Sequence, residues 1–114
     1  MEMWFSEFHT PDVKHSIRVN RQLYSRQSDY QRIDIFETPE LGRVLTLDGN
    51  VMLTERDEFI YDEMITHVPM AVHKEARDIL VIGAGDGGVV RELTRYDRVR
   101  HIDLVEMDPM VVEA

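Results

Sequence analysis

No cysteine occurs among the 114 residues. That excludes a disulfide and any thiolate zinc site. The five histidines, His9, His15, His67, His73 and His101, show no metal-ligand spacing. Positive charge is scarce: 13 Lys and Arg stand against 22 Asp and Glu, for a net charge of −9. A nucleic-acid partner is not expected of such a chain. No apolar run approaches the roughly 20 residues of a membrane span. The stretch "MEMWFSEFHT" lacks the basic and apolar regions of a secretion signal. A soluble, cytoplasmic protein that binds neither nucleic acid nor membrane is the expectation. Internal repeats and low-complexity segments are absent as well.

What is present is globular in kind. The chain is 43% hydrophobic and 31% charged, which sets it apart from disordered sequences. Its acidity is uneven. Residues 1–53 carry six basic and eight acidic residues, a net −2, whereas residues 54–114 carry seven and fourteen, a net −7. A cationic ligand would suit the second half. The plain alternative is a solvated acidic surface.

Residues 1–53 read as a small antiparallel β meander. Ile17 and Val19 alternate onto one face in "SIRVN", as do Ile33 and Ile35 in "YQRIDIFET". Pro39 and Gly42 mark a turn before "RVLTL", and "DGN" is a hairpin signal before "VMLT". Residues 54–77 read as a connecting helix and linker. Thr54 and Asp57 suggest a capping pair. Ile60, Met64 and Val68 recur every four residues, as on one helix face, and Pro69 marks an end or a kink.

Residues 78–114 read as β-α-β. A strand "DILVIG" leads into a helix from Gly87 or Gly88 to about Tyr96, then a strand "HIDLVEMD". Asp108-Pro109 then starts a further helix, with an acid at the N-cap and proline at N1. Two parallel strands with so few helices leave apolar surface uncovered. The expectation is therefore the N-terminal part of a longer α/β enzyme.

The stretch "ILVIGAGDGGVVREL" carries the chemistry. Gly83, Gly85 and Gly88 satisfy G-x-G-x-x-G, and Glu106 stands at the end of the next strand. The pattern fits a dinucleotide fold, an S-adenosylmethionine-type fold, or merely a tight turn. Asp86 discriminates among them. A carboxylate in the loop repels a pyrophosphate and attracts a sulfonium or an ammonium. Glu106 is suited to two ribose hydroxyls. The preceding segment "ERDEFIYDEM" holds five carboxylates against Arg56 alone. In it, Glu58 and Asp62 form a like-charge i, i+4 pair, which costs a helix a few tenths of a kcal/mol. It reads either as a site for amines or as a solvated acidic face.

Together "LDGNVMLTERDEFIYDEM", "HVPM", "VIGAGDGGVVREL" and "LVEMD" strongly resemble the spermidine synthases of the aminopropyltransferase family. The likeness runs over nearly the whole chain, from "WFSE" onward. It implies a β-stranded N-terminal domain followed by a methyltransferase-like Rossmann domain, in a homodimer or homotetramer. It implies transfer of an aminopropyl group from decarboxylated S-adenosylmethionine, a co-substrate and not a cofactor, to putrescine. The products are spermidine and 5′-methylthioadenosine. No metal is implied.

Carried over by residue, the resemblance places Gln31, Gly83, Gly85, Asp86 and Glu106 around the donor. Gln31 would touch the nucleoside, Glu106 the ribose, and Asp86 the amine of the aminopropyl arm. Tyr61, Asp62 and Asp86 would line the polyamine channel. From the residues alone, Gln31 reads equally as an exposed strand residue and Tyr61 as a packed aromatic. Asp62 departs from the family, whose bacterial members usually carry His there; this bears on the choice of amine. The resemblance places the general base beyond Ala114, so the 114 residues alone are expected to be inactive. The alternatives are another polyamine acceptor, a class I methyltransferase, a nicotinamide-dependent dehydrogenase, or a non-catalytic piece whose β region mediates assembly.

Overall fold

The computed structural model describes all residues, 1–114. They form two compact units, Met1–Asp57 and Glu58–Ala114.

The first unit is all β. Strands β1 (Met3–Thr10) and β2 (Val13–Val19) form a hairpin, and β3 (Arg21–Gln27), β4 (Arg32–Thr38), β5 (Gly42–Leu47) and β6 (Asn50–Thr54) form a four-stranded antiparallel sheet in sequence order. The single meander expected is thus two sheets, parted at Asn20. Strand β3, "RQLYSRQ", shows no apolar alternation and was not among the expected strands. It is an edge strand, exposed except at Tyr24, and its pairing with β4 defines it. The "DGN" hairpin is as expected. Asp48 and Gly49 have φ of 51° and 78°, the paired positive values of a two-residue turn that matches strand twist. Ile33 and Val44 are fully buried on the central strands, and Phe5 stacks on Phe36 with ring centroids 5.1 Å apart.

The second unit opens with α1 (Glu58–Val72), followed by β7 (Asp78–Ile82), α2 (Gly88–Leu93), β8 (His101–Val105) and α3 (Pro109–Glu113). Strands β7 and β8 run parallel, with Ile79 opposite Ile102 and Val81 opposite Leu104. Met70, Val81, Val89 and Leu93 form the core. The other sheet face leaves Leu80, Ile82 and Val105 exposed. No helix is long and apolar enough to cross a membrane.

Three helix readings need correction. Thr54 does hydrogen-bond Asp57 through their side chains, but the helix starts only at Glu58, so the pair shapes the turn before it. Of the end or kink read at Pro69, only the end is overturned: the helix continues to Val72, and His73 N donates to Pro69 O at 2.8 Å. Helix α2 stops at Leu93, short of Tyr96. Beyond it, Arg95 N bonds Glu92 O and Tyr96 N bonds Leu93 O, the i→i+3 pattern of tight turns.

The buried face of α1 is the largest correction. Ile60, Met64 and Val68, read as its core stripe, are 55%, 62% and 52% exposed. Asp62, Thr66 and Met70 are buried in their place. They spell the same four-residue period on a different face, the face that meets α2.

Candidate functional site

The turn between β7 and α2 is held by the protein's own acceptors. Gly83 N donates to Val105 O at 2.7 Å and Gly87 N to Ala84 O at 3.1 Å. Gly85 N donates to Glu106 Oε2 at 3.1 Å, and Gly88 N to Asp86 Oδ2 at 3.3 Å. A phosphate cradle needs such amides aimed at the ligand. Here those four are engaged within the chain, so the loop is poorly suited to a phosphate.

Glu106 follows directly after β8 and folds its carboxylate back under the turn. Its Oε1 also accepts from Asp108 N at 3.3 Å. Two backbone donors from opposite sides thus fix its orientation. Asp108 is itself buried and caps α3 through Met110 N at 3.0 Å, so the strand end, the carboxylate and the next helix form one rigid corner. Gly85 permits this, since a Cβ there would lie 2.8 Å from Glu106 Cγ. Gly83, Gly85 and Glu106 are therefore brought together. Asp86 stands exposed on the same turn, its carboxylate open to a ligand.

Asp62 reaches this region from α1. Its side chain is buried, at 4% exposure. Its Oδ2 has no hydrogen bond and lies 3.6 Å from Arg91 Nη2. Arg91 is committed elsewhere. It makes a two-pronged pair with Glu58, at 2.9 and 3.2 Å. Burial, then the neighbouring Glu58 carboxyl, then the charge of Asp86 push the Asp62 carboxyl up to about 7, against the pull of Arg91. Glu58 moves the other way, held below the usual range by its hydrogen bond with Asp62 and by Arg91. Neither Arg91 nor its partnership with Glu58 was singled out from the sequence. They are 33 residues apart, and no local spacing signals the pair.

Tyr61 is 65% exposed. It borders an apolar shelf on α1 with Met64, Ile65, Val68 and Pro69. Gln31 belongs to the first unit, at the entrance to β4. Its N–H donates to Ser28 Oγ at 3.1 Å, and its carbonyl accepts from the same hydroxyl at 3.1 Å.

Elsewhere in the second unit a polar cluster joins α1 to the segment that follows α2. His67 Nδ1 lies 2.6 Å from the Tyr96 hydroxyl, and Arg98 donates to Met70 O at 2.6 Å while its guanidinium lies 4.8 Å from the Tyr96 ring centroid. It brackets the end of α1 remote from Asp62.

Comparison with known proteins covers both units. A spermidine synthase tetramerisation domain model matches residues 3–55, and a spermine/spermidine synthase domain model matches residues 58–114. The chain is 62% identical over 113 residues to a polyamine aminopropyltransferase of Lachnoclostridium phytofermentans, covering 99% of this chain and 40% of that protein. It is 61% identical over 114 residues to one of Clostridium botulinum, again 40% of its length. The crystal structure of spermidine synthase from Thermotoga maritima superposes with a TM-score of 0.95 at 50% identity, over 98% of this chain and 40% of that one. A spermidine synthase in complex with the transition-state analogue AdoDATO matches equally well, with a TM-score of 0.95 at 50% identity, covering 98% of this chain and 39% of that one. The chain thus spans about 40% of the length of these relatives, and it belongs to the spermine/spermidine synthase family.

Proposed function

We propose that a protein of the relatives' length carrying this chain transfers the aminopropyl group of decarboxylated S-adenosylmethionine to putrescine. The products are spermidine and 5′-methylthioadenosine. The observation that carries this reading is the exposed Asp86 carboxylate on a glycine turn whose amides at 83, 85, 87 and 88 are engaged internally. Such a turn favours a cationic ligand and disfavours a phosphate. A donor with a sulfonium and a free amine, but no carboxylate, meets that requirement. The donor of a methyltransferase keeps its carboxylate, which Asp86 would repel.

In this reading Glu106 accepts from the ribose hydroxyls and Asp86 holds the amine of the donor arm. Tyr61, Asp62 and Asp86 bound the amine channel. The attacking amine nitrogen forms a bond to the methylene carbon next to sulfur. The carbon–sulfur bond breaks, its electron pair goes to sulfur, and the sulfonium becomes a neutral thioether. An alkyl amine has a pKa near ~10.4 and arrives protonated, so a base must take its proton. The carboxylates of this chain orient and hold the ammonium groups. The tetramerisation domain match supports self-association, as a dimer or tetramer, and a cytoplasmic enzyme is the consistent setting.

The test is to incubate the full-length protein with putrescine and decarboxylated S-adenosylmethionine and to follow methylthioadenosine by chromatography. Stoichiometric methylthioadenosine and spermidine are expected. Turnover of ordinary S-adenosylmethionine, with no aminopropyl product, would refute the assignment.

A further inference from the structure

The acidic cluster around Asp62 is under-neutralised. From α1 it is faced by Glu58, from α2 by Arg91 with Glu92 next to it, and from the glycine turn by Asp86. Arg91 spends both of its terminal nitrogens on Glu58, at 2.9 and 3.2 Å, and reaches Asp62 only at 3.6 Å. The Asp62 Oδ2 atom is buried without a hydrogen bond. A fully ionised carboxylate held that way, beside a second one, is costly. Two remedies exist: a proton, or a cation.

We propose that Glu58 and Arg91 are positioning residues that set the charge of Asp62. The two carboxyl groups share one proton when no amine is bound, and they surrender it to solvent when an ammonium group docks. The arginine, clamped by Glu58, keeps the shared proton on the Asp62 side while it neutralises Glu58. An amine then meets a full carboxylate only as it arrives. The site is thereby selective for ligands cationic enough to displace a proton. The proton-sharing pair rests on the buried, unbonded Asp62 Oδ2 and on the Arg91 clamp to Glu58; its response to amine rests on the function proposed above.

The two residues separate cleanly by sign. Full-length protein is labelled with carbon-13 at the aspartate carboxyls, and Asp62→Asn assigns the resonance. The wild-type midpoint is expected at about 7. Arg91→Gln removes the opposing positive charge and should raise the midpoint by about one pH unit. Glu58→Gln removes the competing carboxylate and should lower it by about one. Arg91→Lys should restore most of the wild-type value. General loosening of the helix pair would instead carry both variants down toward ~3.9. An ordinary carboxylate midpoint in the wild type, or shifts of the same sign in the two variants, overturns the proposal. Putrescine added at pH 7 should lower the midpoint and release a proton. If Asp62 titrates as stated but ignores putrescine, the proton-sharing pair holds and the acceptor reading of residue 62 fails.

Discussion

Gly88 lies directly beneath the Asp62 carboxylate, so closely that a Cβ there would come 2.6 Å from Asp62 Cγ. The third glycine of the loop motif thus serves the contact between two helices. It lets a carboxylate enter a space that any other side chain would fill.

Gly88→Ala should therefore destabilise the protein by about 1–3 kcal/mol through overpacking. In an Asp62→Ala background the clash is gone, and alanine has less backbone freedom to lose than glycine on entering a helix. The same substitution should then be neutral or stabilising. Urea unfolding of the two singles and the double gives the coupling directly. Additive effects would mean that residues 62 and 88 do not share this space.

The raised Asp62 pKa has a defined pH signature. Unfolded, the group ionises near its ordinary value of 3.8; folded, it keeps its proton to about 7. Between those values the folded state binds more protons than the unfolded state. This group's contribution to stability is therefore largest at low pH and is lost as pH rises through that window. Asp62→Asn should stabilise the protein above pH 7, with the gain vanishing toward pH 4. At roughly 1.4 kcal/mol per pKa unit the ceiling is about 4 kcal/mol, and the opposite shift of Glu58 reduces it. Thermal melts of both proteins from pH 4 to 8 check the crossover.

Donor recognition should divide between two carboxylates. Asp86→Asn should weaken decarboxylated S-adenosylmethionine by about 1.5–3 kcal/mol, the range for a hydrogen bond to a charged group. It should leave methylthioadenosine little changed, since that product has lost the amine arm. Glu106→Gln should weaken both, since both keep the ribose. Calorimetry with the two ligands measures the split, and equal losses for Asp86→Asn would assign it a different role.

Gly85→Ala should reproduce the Glu106→Gln pattern without altering any group that touches ligand. The added methyl would press on Glu106 Cγ from 2.8 Å and break the Gly85 and Asp108 amide bonds that orient the carboxylate. Affinity for methylthioadenosine should fall roughly tenfold, about 1.4 kcal/mol, with the folded state retained by circular dichroism.

Much of the chain was legible in its sequence because the signals are local. Asp48-Gly49 determines its own hairpin through backbone torsions. Asp108-Pro109 starts a helix because one residue caps and the next needs no amide partner. The apolar run at 79–82 followed by glycines announces a strand, a turn and a helix, and Glu106 was placed at the strand end by counting along the chain. The buried face of α1 was not legible in this way. The four-residue recurrence of apolar residues pointed to Ile60, Met64 and Val68, a stripe that is exposed. Tertiary structure chose Asp62, Thr66 and Met70. A carboxylate can be buried at 62 only because residue 88 has no side chain and Arg91 brings a positive charge within 3.6 Å. Both lie more than 25 residues downstream, and the free energy of burying a charge is decided by what surrounds it.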